Sequence, residues 1–130
     1  MESIKILCDT TDVIIEYLKG NETTKKIFDK LERANIALSA ITLTELYYGA
    51  LNKRELNKIK RALSEFNILP LNEEITEIAI NLIEKYSKSH GLKIPDALIA
   101  STAIYYDLSL WTYNIKDFRF IENLGLFKNK

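Results

Sequence analysis

The sequence holds one cysteine, one histidine, four glycines and two prolines in 130 residues, and its 18 basic residues are matched by 18 acidic ones. Each scarcity excludes something. A single cysteine cannot close an internal disulfide, so a disulfide-stapled secreted module is ruled out and a reducing compartment is expected. A single histidine, His90, rules out within one chain a ribonuclease that uses paired imidazoles as acid and base. The scattered glycines form neither a Walker-type phosphate loop nor a dinucleotide fingerprint, and no linker, repeat or low-complexity stretch is present. No apolar run approaches the roughly 20 residues of a membrane helix. Met1-Glu2-Ser3-Ile4-Lys5 has no signal-peptide layout, so a cytoplasmic protein without membrane association is expected. The missing net charge argues, at face value, against a nucleic-acid binder with a broad positive field.

What is present is the composition of one globular domain of common size, 47% hydrophobic and 28% charged. Short apolar runs alternate with longer amphipathic ones. Strands are predicted over 4–8, 36–39, 68–71 and 108–112, and helices over 13–19, 23–34, 43–50, 53–66, 72–90 and 97–106. Asp12 and Gly20 bracket the first helix, Asn72 opens the fifth, and Pro95 stands in the first turn of the last. Strand–helix alternation with crossovers of this length implies an α/β fold with a parallel central sheet of about four to five strands and helices on both faces. In such sheets ligands bind outside the carboxyl ends of the strands.

Three predicted strand exits lead to an acid: Asp9 directly, Glu45 in the following helix, and Asp117 after a short loop. Asp96 opens the last helix. Each has a plain structural reading. Asp9 and Asp117 suit turns, Asp96 suits a helix start, and Thr42 with Glu45 has the spacing of a capping box. Together they suggest more. Carboxylates converging in one crevice repel one another unless a cation neutralises them. Oxygen ligands without cysteine or histidine suit Mg²⁺ or Mn²⁺, which can activate water against a phosphodiester. His90 is read as a helix-terminal residue and Cys8 as core.

Four segments carry a resemblance to a known family. Ile6-Leu7-Cys8-Asp9-Thr10, Thr42-Leu43-Thr44-Glu45-Leu46, Ile94-Pro95-Asp96-Ala97-Leu98 and Thr112-Tyr113-Asn114-Ile115-Lys116-Asp117-Phe118 stand in the order and approximate spacing of the PIN-domain nucleases. The chain resembles in particular the VapC-like toxins of toxin–antitoxin pairs, along essentially all of residues 1–130, as a single PIN domain. The resemblance implies a Mg²⁺- or Mn²⁺-dependent endoribonuclease, with Asp9, Glu45, Asp96 and Asp117 as catalytic residues around the metal. It also implies Thr10, Thr112 and Asn114 beside the site, a homodimer, and an antitoxin that covers the acidic groove. The turn after Asp9 is one residue longer than the family's usual one, which makes Asp12 the substitute candidate for the first ligand.

RNA beside a carboxylate site needs cations at the rim. Lys116 and Arg119 flank Asp117 and are the candidate RNA-binding residues. Arg54, Lys58 and Arg61 share one helical face, for which a solvated exterior is the plainer reading and RNA contact the alternative. Tyr47, Tyr48, Tyr113 and Phe118 could stack bases, although packing is the commoner use of such rings. A non-catalytic PIN-like module that binds RNA or protein is the alternative from another class, and a DNA or structure-specific nuclease is a third. With four acids set aside at a metal site, 14 remain against 18 basic residues. The zero balance therefore describes a sum and not a field.

Overall fold

A computed structural model describes residues 4–9 and 13–128, with Arg33 described by its backbone alone. The elements run β1 (Ile6–Cys8), α1 (Ile15–Leu18), α2 (Glu22–Leu31), β2 (Ile36–Ser39), α3 (Ala40–Tyr48), α4 (Lys53–Ala62), β3 (Asn67–Leu69), α5 (Glu73–His90), α6 (Ile94–Tyr106) and β4 (Ser109–Trp111). Short 3-10 turns lie at Arg33–Asn35 and Ile115–Asp117.

The four strands form one sheet in the order β3-β2-β1-β4, and every pairing is parallel. Each crossover carries at least one helix, as parallel neighbours require. The chain steps from β1 outward to β2 and β3, then returns to place β4 on the other side of β1. The direction of winding therefore reverses between β1 and β4, the position where open α/β sheets place their ligand crevice.

Side chains alternate across the sheet and fill a core on each face. Leu7, Ala37, Leu69 and Leu110 pack beneath α5 and α6 with Phe118 and Ile121. Ile6, Cys8, Ile36, Leu38 and Trp111 pack on the opposite face with Val13, Ile14, Phe28, Leu63 and Phe66. Cys8 is core, as its sequence context suggested. Burying each large apolar side chain contributes roughly 1.5–3 kcal/mol relative to exposure. Among the described residues no helix is long and apolar enough to cross a membrane.

Helix ends follow local chemistry. Asn21, Asn52 and Asn72 each accept a hydrogen bond from a first-turn amide of α2, α4 and α5, and Gly91 ends α5 at φ +71°. Several boundaries differ from those expected. The predicted helix over 23–34 stops at Leu31, because Glu32 turns to φ +66° and a 3-10 turn follows. The predicted helix over 53–66 ends at Ala62, and Leu63 to Phe66 form a turn that still buries both of those side chains.

Candidate active site

Asp9 is the residue after β1 and is 1% exposed. Its N–H donates to the Trp111 carbonyl at 3.0 Å, carrying the β1–β4 pairing one step past the strands. Thr112 Oγ1 donates to Asp9 Oδ2 at 2.8 Å. The Asn114 N–H donates to that same Oγ1 at 3.0 Å. Because the Thr112 oxygen already accepts from Asn114, its proton goes to the carboxylate, which fixes the direction of the chain of bonds. A hydrogen bond to a charged, buried group contributes about 1.5–3 kcal/mol. Asp9, Thr112 and Asn114 thus meet at the reversal point of the sheet. Thr10 and Asp12 lie outside the described residues.

Glu45 is positioned by a different local route from the one predicted. Ser39, the buried last residue of β2, accepts from the Ile41 amide at 3.2 Å and starts α3 with no loop between. The helix therefore begins at Ala40 and not near Leu43; Thr42 is buried inside it, and Glu45 is mid-helix and not the partner of a cap. Glu45 Oε1 is buried with no hydrogen-bond partner among the described residues. The residue lines a cleft of about 770 Å³ between α1, α3 and α4, floored by Ile15, Leu18, Leu46 and Ile59. Arg54 and Lys58 line the same cleft, whereas Arg61 does not. All three basic residues of this α4 face are exposed, in keeping with a solvated exterior, and Arg54 and Lys58 stand at the rim of the cleft that Glu45 lines.

Asp96 stands in the first turn of α6, after Pro95, at the end of the helix where the dipole favours negative charge. Asp117 closes the 3-10 turn, and its N–H donates to the Asn114 carbonyl at 3.0 Å. Asp96 and Asp117 line one small pocket of about 60 Å³ with His90, Leu92 and Lys93. Lys116 and Arg119 are exposed on either side of Asp117. His90 is the last residue of α5, as expected, and its ring stacks on Phe120 at 4.3 Å. Lys93 is a pocket cation that the sequence reading passed over, although its place three residues before Asp96 was the available signal.

The four acids are thus distributed: Asp9 on the β1–β4 seam, Asp96 and Asp117 around a shared pocket, and Glu45 in a separate cleft between α1, α3 and α4. Among the described residues, no three histidine, cysteine, aspartate or glutamate side chains stand close enough together to hold one metal ion. The donor chemistry itself is that of a hard cation: every candidate ligand is a carboxyl group, and Glu45 Oε1 is a buried acceptor without a donor among the described residues.

A parallel sheet with a buried aspartate at its reversal point, acids from two following helices and one further acid after the last strand defines the class. Residues 6–122 match the PIN domain, and the chain belongs to that family. Among curated proteins it is 31% identical to Ribonuclease VapC10 of Mycobacterium tuberculosis, over 92% of this chain and 90% of that one. It is 34% identical to Ribonuclease VapC1 of Methanocaldococcus jannaschii, over 96% of this chain and 87% of that one. A similar solved structure is VapBC2 from Rickettsia felis bound to a DNA fragment from their promoter, at TM-score 0.80 and 30% identity, covering 94% of this chain and 97% of that one.

Proposed function

We propose that this chain is an endoribonuclease acting as the toxin of a toxin–antitoxin pair, hydrolysing RNA phosphodiesters at the carboxyl ends of β1 and β4. The observation that carries this reading is the Asn114–Thr112–Asp9 chain of hydrogen bonds at the reversal point of the sheet, in a chain similar to proteins named VapC ribonucleases. Mg²⁺ or Mn²⁺ is the proposed cofactor, with Asp9, Glu45, Asp96 and Asp117 as the residues that would hold it. When bound, such an ion supplies a Lewis acid for phosphate and a water of lowered pKa.

The chain's own residues prepare this chemistry. Thr112 keeps the Asp9 carboxylate in one orientation, and Asn114 sets the direction of the Thr112 proton. Asp96 is carried on the first turn of α6, at the positive end of the helix dipole. Lys93, Lys116 and Arg119 offset the repulsion between a phosphate chain and the acids around Asp117. The proposed protein partner is an antitoxin, for which the cleft beside Glu45 offers an apolar floor and a charged rim. A homodimer is the proposed assembly.

Cleavage of RNA by the purified chain should require Mg²⁺ or Mn²⁺ and stop in EDTA. Asp9→Asn, Glu45→Gln and Asp96→Asn should each lower the rate by at least about a hundredfold, as loss of a group acting in the transition state does. Undiminished cleavage in those variants would overturn the proposal. A folded, metal-indifferent protein that cleaves no RNA would instead favour a binding module.

A further inference from the structure

Tyr113 is held in a way that the proposed chemistry does not use. It directly follows Thr112, the residue that holds Asp9, so its Cα lies about 3.8 Å further along the chain. The residue is 45% exposed. A half-exposed tyrosine ordinarily leaves its hydroxyl in water. Here the hydroxyl is hydrogen-bonded at 2.6 Å to Thr24 Oγ1, a side chain 1% exposed in the first turn of α2 and 89 residues away in sequence. The ring stands perpendicular to that of Trp111 with centroids 6.3 Å apart, and Trp111 in turn packs against Phe28 at a centroid distance of 4.8 Å. The ring is thus fixed at its hydroxyl and against Trp111 while the residue remains exposed to solvent. Its rotamer entropy is spent before any ligand arrives, which is the condition for a pre-organised contact.

We propose that Tyr113 is a stacking platform for a nucleobase of single-stranded RNA, the base flanking the cleaved phosphodiester, and that Thr24 is its positioning residue. The proposal rests on the ribonuclease reading above and deepens it by naming the group that grips the substrate. Splayed bases of single-stranded RNA stack on exposed aromatic rings, and a base held beside Thr112 brings its phosphate to Asp9. Stacking tolerates every base and gives only a modest preference, for the larger purine face.

Affinity is read by fluorescence polarisation of a labelled single-stranded RNA in EDTA, where cleavage is halted, and cleavage is followed separately with Mg²⁺ or Mn²⁺. Tyr113→Ala should weaken RNA binding about tenfold, the size of one lost base stack, and raise KM similarly while kcat changes little. Abasic sites walked along the RNA should reveal one position where the wild type loses about tenfold and Tyr113→Ala loses nothing more, a coupling that a merely structural tyrosine does not produce. Tyr113→Trp should retain affinity. Tyr113→Phe and Thr24→Val should lose an intermediate amount, with Thr24→Ser restoring it. Should Tyr113→Ala fail to fold by circular dichroism, Tyr113→Leu carries the same comparisons. Wild-type affinity in the variant, or an abasic penalty that persists in it, overturns the platform and leaves the nuclease reading standing. The coupling without any RNA cleavage by the wild type does the reverse. A wild type that binds no RNA overturns both.

Discussion

Thr112 does two things with one hydroxyl, accepting from Asn114 and donating to a buried carboxylate. Thr112→Val keeps the shape of the side chain and removes both bonds. The Asp9 carboxylate, 1% exposed, then loses a donor that water cannot readily replace. We expect a loss of about 1–3 kcal/mol in urea unfolding, with the slope against denaturant unchanged. Thr112→Ser keeps the hydroxyl and should recover most of it. Asp9 was legible in the sequence because it directly follows an apolar strand, whereas Thr112 and Asn114 were legible only through the resemblance of their segment to the PIN-domain family. The sequence did not reveal Thr24 as a partner of Tyr113, because 89 residues separate them and no periodicity links a helix start to a distant loop.

At the scale of elements, α4 is an amphipathic, basic helix with no fully buried residue, so its ends matter to it. Asn52 accepts from the Glu55 amide at 2.9 Å, and Glu55 reaches back to the Leu51 amide at 3.1 Å. Asn52→Ala should cost about 1 kcal/mol and raise hydrogen exchange across α4 before the rest of the fold, because capping residues contribute on that scale. An equal rise in exchange throughout the protein would show instead that α4 does not open by itself. The strands and the long helices α5 and α6 were readable from their periods and from Asn72, Gly91 and Pro95. The start of α3 was not. Ser39 is at once the last pleat of β2 and the cap of α3, and a residue with two roles gives no loop signal between them. The Thr42–Glu45 spacing mimicked a cap that the helix had already made further back.

Across the whole molecule, the C-terminal segment is fastened to α5. The Glu122 N–H donates to the Tyr86 hydroxyl at 3.3 Å, and Lys85 pairs with the Glu122 carboxylate. The Lys85 ammonium holds that carboxyl below the usual carboxylate range through a hydrogen bond and its charge, and Glu122 raises Lys85 by the same contact. A lowered carboxyl pKa favours the folded state above the unfolded-state value, and the benefit fades as pH falls through the folded-state one. The raised ammonium favours it below the ordinary lysine value, and that benefit fades as pH rises through the raised one. Both side chains are exposed and screened, so the effect is small. Glu122→Gln should slightly lower the thermal midpoint at neutral pH, and the difference should vanish in strong acid and in molar salt. A difference that survives both conditions would assign the contact to packing.

The alternation of β1 between the two cores has a consequence for how the gene can vary. Ile6 and Cys8 enter one core, Leu7 enters the other, and Asp9 is the next position in the count. The strand therefore acts as a reading frame for the candidate site. Deleting one residue between Ile6 and Cys8 would shift the phase of every side chain before it and draw Asp9 back from the end of Trp111. Indels there should be lethal to folding and chemistry together, whereas point changes among apolar residues of similar volume should disturb neither beyond about 1.5 kcal/mol.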